Sequence, residues 1–123
     1  MLLRSMCLAL LALIPAAVFA PASAQSNQQQ YIVVYVEFQP SLADQGEQKL
    51  RQLAHIARSS SGVIGFYANR QIGRENFFSL VEIWNDAASY QNFLNSQQAQ
   101  AVLNAITPLL EAPLDVRPGN LVE

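Results

Sequence analysis

The segment NFFSLVEIW, residues 76–84, sets one carboxylate among large apolar side chains and ends on the chain's only tryptophan. In an extended strand Phe78, Leu80, Glu82 and Trp84 share one face, while Val81 and Ile83 take the other. A carboxylate on such a face costs free energy unless it is paired or hydrogen-bonded. Two accounts fit. In the first, Glu82 accepts a hydrogen bond from a tyrosine or an amide, or pairs with Arg70 across a hairpin. In the second, a desolvated Glu82 with a raised pKa handles protons beside a ligand stacked on Trp84. The first asks less of the sequence.

Other residues could share that chemistry. In GFYANR, Tyr67 and Asn69 lie on one face of a strand, opposite Phe66, Ala68 and Arg70. Tyr35, Tyr67 and Trp84 together would make an aromatic pocket with polar tips, suited to a planar organic molecule, with Asn69 and Phe78 beside it. Aromatics at alternating strand positions are equally ordinary core and interface material. His55, the single histidine, has Arg51 and Arg58 one turn away on either side. It is the weaker candidate base, since a histidine flanking an apolar helix stripe is usually a half-exposed packing residue. One histidine and one cysteine make a zinc set implausible, and no metal site is expected. Gly62-x-x-Gly65 opens a strand with no helix after it, so it is no phosphate loop.

These residues need a scaffold. The first 30 residues read as export and leader: Arg4, an apolar run from Met6 to Ala20 broken by Pro15, then Ala22-Ser23-Ala24 as an A-x-A cleavage pattern. A signal peptide over 1–24 predicts a periplasmic or secreted protein, and the polar QSNQQQ, 25–30, reads as a disordered leader. Cleavage would remove Arg4 and Cys7, leaving six basic and nine acidic residues and no thiol. That charge balance gives no basic patch for nucleic acid, and membrane binding after cleavage has no support.

From Tyr31 to Pro118 the pattern is that of one domain, with 119–123 as a tail. YIVVYVEF reads as a strand, and Ser41 as the cap of a helix over about 42–59 with the stripe Leu50, Leu53, Ala54, Ala57. Two strands joined by GREN follow. A helical region then opens at Asp86, divides near Asn95-Ser96 and bends at Pro108. PLDVRP ends the domain as an edge or exchanged strand. The order β-α-β-β-α-β predicts an α+β, ferredoxin-like sandwich with helices on one sheet face. Yet the first strand is apolar on both parities: Tyr31, Val33, Tyr35 against Ile32, Val34, Val36, Phe38. A second copy is the simplest cover for the other face, so a homodimer is expected.

SSGVIGFYANRQIGRENFFSLVEIWNDAASYQNFLNS, with LNAITPLLEAP after it, resembles the antibiotic biosynthesis monooxygenase family of dimeric α/β barrels. The match runs from about Tyr31 to Pro113 and rests on Gly62, Gly65 and Tyr67, on the E-x-W pair Glu82 and Trp84, then on Asp86 and Ser96. The resemblance implies a monooxygenase that oxidises quinols or phenols with O2 and no cofactor. It makes Trp84 a pocket wall and Glu82 its polar companion. The chain departs from the family where many members carry two histidines, for here those places hold Phe93 and Gln98. Haem-degrading relatives ligate iron with a histidine from this helix, so the departure speaks against haem. It also moves the base to Glu82, His55 or a tyrosine. Phe93 thereby separates an enzyme from a non-catalytic small-molecule binder, or from a dimer whose pocket is filled by its own side chains.

Overall fold

The structure is a computed structural model, and residues 28–123 are described below; the expected signal peptide lies outside them. Four strands form one antiparallel sheet: β1 (Gln30–Glu37), β2 (Val63–Arg70), β3 (Phe77–Trp84) and β4 (Asp115–Gly119). Their order is β2-β3-β1-β4, so β2 and β4 are the edges and the sheet is open. Three helices, α1 (Ala43–Arg58), α2 (Ala87–Asn95) and α3 (Gln97–Ile106), complete the ferredoxin-like α+β fold. Among the described residues no helix is long and apolar enough to cross a membrane.

The core lies between one sheet face and the helices. Ile32, Val34 and Val36 of β1 are buried there with Phe78, Leu80, Glu82 and Trp84 of β3 and Phe66 of β2. From α1 the expected stripe Leu50, Leu53, Ala54 and Ala57 is buried against them, joined by Ala43 and Gly46. Gly46 is there for closeness: a Cβ on it would sit 2.5 Å from the buried ring of Phe38.

Three local expectations change. Ser41 caps nothing. Pro40 opens a 3-10 turn over Pro40–Leu42, and α1 begins only at Ala43 with no side-chain cap. The turn absorbs the serine because proline presets a tight φ. The β2–β3 connection spans 71–76 rather than GREN alone, with Gly73 at φ 83. At the other end β1 starts at Gln30, so the last residue of the expected leader pairs with Trp84. The division of the second helical region stands: Ser96 ends α2 and accepts a hydrogen bond from Ala99 N at 3.2 Å to start α3. A 3-10 turn at Thr107–Leu109 carries Pro108 and leads toward β4.

Candidate functional site

The register of the sheet decides what can meet Trp84. Antiparallel partners opposite Glu82 are Ile32 on β1 and Phe66 on β2, all on the helix-covered face. Glu82 is 3% exposed, and its Oε2 accepts a hydrogen bond from Trp84 Nε1 at 3.0 Å. An indole two residues on is thus the partner, not a tyrosine or Arg70. Arg70 turns to α1 and the β2–β3 loop, where it pairs with Asp44 at 3.1 Å, Glu47 at 2.8 Å and Glu75 at 3.2 Å. Burial pushes the Glu82 pKa up to about 7, with the single indole hydrogen bond pulling weakly the other way. A neutral donor relieves only part of the desolvation that an ion would have met in water.

Trp84 is fully buried, and α2 supplies its cover. Asp86 caps that helix by accepting from Ser89 N at 2.7 Å, which aims Tyr90 and Phe93 at the sheet. The Phe93 ring stacks on Trp84 with centroids 4.9 Å apart and planes 25° apart, and meets Phe66 edge-on at 6.1 Å. Tyr90 lies 6.1 Å from Trp84, its hydroxyl pKa pushed up to about 12 by burial and then by the nearby Glu82 charge. The sequence reading passed over Tyr90. Its spacing of three from Phe93 in an Asp-capped helix was the signal.

The expected aromatic pocket does not form within one chain. Tyr35 and Tyr67, 48% and 54% exposed, stand on the open sheet face, opposite Trp84. There Tyr35 and Asn69 both lie across from Ser79, and all three line a shallow hollow of about 190 Å3. Phe78 shares Trp84's face but sits six residues away, about 20 Å along an extended strand. It packs edge-on against Phe38 at 5.4 Å. His55 is exposed on α1 and lines a different cavity, between α1 and β2. The structure therefore brings together Glu82, Trp84 and Phe93, adds Tyr90, and leaves Tyr35, Tyr67, Asn69, Phe78 and His55 elsewhere. Among the described residues no group of three or more His, Cys, Asp or Glu is placed to hold a metal ion.

A cleft of about 280 Å3 adjoins this cluster. Ser59, Ser60 and Ser61 at the end of α1 face Ser89, Asn92 and Ser96 across it, and Phe93 and Gln98 complete its wall. Gly62, at φ 82, lets the two sides approach, because a Cβ there would meet Ser89 Oγ at 2.0 Å. Phe93 thus borders the polar cleft and also lies on Trp84. It is the partition between them.

The family model for antibiotic biosynthesis monooxygenases matches residues 30–105, from the start of β1 into α3. The chain belongs to the antibiotic biosynthesis monooxygenase family. Solved structures share its fold at low identity. A candidate antibiotic biosynthesis monooxygenase from Caulobacter crescentus is 16% identical, with 82% of this chain and 97% of that one aligned at a TM-score of 0.73. A Pseudomonas aeruginosa protein is 17% identical, with 78% and 96% covered and a TM-score of 0.73. A conserved Bacteroides thetaiotaomicron protein is 14% identical, with 78% and 100% covered and a TM-score of 0.72. Such identities speak for the fold alone. No curated protein matches the sequence at a significant level. Within this monooxygenase family, Phe93 and Gln98 hold the places where the sequence resemblance expects histidines, and both line the serine-rich cleft.

Proposed function

We propose that the protein is an exported, homodimeric monooxygenase that oxidises quinol or phenolic aromatic small molecules with O2, using neither metal nor flavin. The observation that carries this reading is the buried Glu82 carboxylate, held near neutrality beside an indole wall. A general base works best when its pKa lies near the operating pH. Glu82 takes the substrate's hydroxyl proton, and the resulting phenolate, poorly solvated among Ile32, Phe66 and Trp84, passes electrons to O2. The balance needs no external reductant: a naphthohydroquinone and one O2 give a hydroxynaphthoquinone and one water. Substrate arrives through the serine-lined cleft as the Phe93 ring turns aside.

The apolar open face of the sheet supports the homodimer. Val33, Val81 and Ile83 stand there beside Tyr35 and Tyr67, and among the described residues no helix lies over them. A second copy laid on this face would remove them from water and close a barrel. Export rests on the leader pattern of residues 1–24.

The test is O2 uptake by purified protein with 1,4-naphthohydroquinone and no added cofactor. Glu82→Gln is expected to lower the rate by about a hundredfold or more, the usual worth of a positioned base, while His55→Ala keeps it. A rate indifferent to Glu82→Gln removes the proposed base. A second reading, a non-catalytic binder of the same fold, is favoured by the Phe93 ring stacked on Trp84. It predicts no O2 uptake, but quenching of Trp84 fluorescence by the same quinols.

A further inference from the structure

A cavity of about 390 Å3 lies away from Trp84, between the outer flank of α1 and the edge strand β2. That volume falls within the range of small-molecule sites. Its floor is apolar: Leu50 and Ala54 from α1 and Phe78 from β3. Its rim is ionic. Glu47, Arg51, His55 and Arg58 rise along one side of α1 at spacings of four, four and three, and Arg70 faces them from β2.

The charges on this rim are unevenly satisfied. Glu47 sits between Arg51 at 2.6 Å and Arg70 at 2.8 Å, and the Arg51 hydrogen bond in particular holds its carboxyl below the usual range. Arg70 also pairs with Asp44 and Glu75, so both arginines at that end are satisfied. At the other end Arg58 donates from Nη2 to the Phe66 carbonyl at 2.9 Å and, among the described residues, makes no ion pair. Among the described residues Arg58 is therefore the one rim arginine without a carboxylate partner. The backbone bond fixes one arm of the Arg58 guanidinium, and the other donors remain for an anion, in the forked geometry that suits a carboxylate.

We propose that this groove is a binding site for a small amphiphilic carboxylate. Its anionic head lies against Arg58, with the His55 ring beside it, and its apolar body lies on Leu50, Ala54 and Phe78. The site is independent of the Glu82 chemistry, shares no residue with that cluster, and stands or falls without it.

The probe is 2-naphthoate, titrated into the 15N-labelled protein, with 2-naphthol as the neutral counterpart of the same size. The expected result is amide shift changes confined to residues 50–58 of α1 and 66–70 of β2, with 2-naphthol binding about tenfold more weakly or less, the worth of one charge-assisted hydrogen-bonded pair. Arg58→Ala should weaken 2-naphthoate about tenfold. Because that change also removes a bond to the strand, Ala68→Glu serves as the second variant. Ala68 is exposed and lines the groove, so a carboxylate there repels the probe without touching the core. Equal affinity for naphthoate and naphthol, shifts centred on residues 82–93 or on the open sheet face, or unchanged affinity in a folded Ala68→Glu variant would overturn the proposal.

Discussion

The two faces of the sheet are built from similar side chains and have different surroundings. On β1, Ile32, Val34 and Val36 are sealed by the helices, whereas Tyr31, Val33 and Tyr35, one residue out of step, keep part of their surface in water. On β3 the covered face carries Phe78, Leu80, Glu82 and Trp84, and the open face carries Phe77, Val81 and Ile83. The covered face also holds Glu82, the one buried charged residue among the described residues, and the open face presents the polar tips of Tyr35 and Tyr67. Apolar residues on both parities leave one set buried by the chain's own helices and the other part-exposed in a single chain, the face that the proposed homodimer would cover. The Glu82 carboxylate belongs to the covered set, and its surroundings are complete in a single chain.

The sharpest way to separate the faces is to cut one aromatic from each. Phe93→Ala removes a ring wedged between Trp84 and Phe66, and should cost about 3–5 kcal/mol in denaturant unfolding. Tyr67→Ala removes a ring that is half in water in a single chain, where surface changes stay within about 0.5 kcal/mol. If a second copy covers that face, the effect appears instead in sedimentation equilibrium, as a dimer dissociation constant raised about tenfold or more. A wild-type protein that sediments as one chain at micromolar concentration would leave the open face without the cover argued above.

Glu82 tests the covered face through pH. Its folded pKa of about 7 lies above the ordinary 4.5, so the folded state binds the proton more tightly than the unfolded chain does. Its contribution is fully present below about pH 4.5 and is lost as pH rises through about 7. The shift corresponds to roughly 3 kcal/mol. Wild type should therefore lose stability between about pH 5 and pH 8, and Glu82→Gln should flatten that slope while keeping an acceptor for the Trp84 indole. Parallel stability curves for the two proteins would show that Glu82 is not the group responsible.

How much of this was legible in the sequence follows from what each residue needed to know. The order of elements, the α1 stripe and the division at Ser96 follow from periodicity and caps, which are local. The parity of Glu82 with Trp84 is local too. Which parity of β1 lies beside them is not, because both are apolar, and the choice is fixed only by the pairing of Ile32 with Glu82. Tyr35 was therefore grouped with Trp84 although it points the other way. A bulge between Val63 and Gly65 further hides the phase of β2. Phe93 was recognisable as a bulky ring in an unexpected place, but its seat on Trp84 depends on how α2 crosses the sheet. His55 read as a half-exposed packing residue with Arg58 as its neighbour, because nothing in α1 shows that an edge strand lies alongside.

The smallest effect sharpens the comparison at the partition itself. Ser96 Oγ accepts from Ala99 N and also donates to the Phe93 carbonyl at 2.8 Å, tying the start of α3 to the last turn of α2. Ser96→Ala loses the cap, and a helix N-cap is typically worth about 1 kcal/mol. The change is half-buried and far from the open face, so the association constant should not move while unfolding shifts by that amount. The informative reading is Trp84 emission. Phe93 is held from its backbone by this serine, and loosening that hold lets the ring leave Trp84 more often. A red shift in Ser96→Ala without loss of dimer would show that the partition moves independently of the sheet. An unchanged spectrum would show that Phe93 is fixed by its contacts with Trp84 and Phe66 alone, which would make entry from the serine-lined cleft untenable.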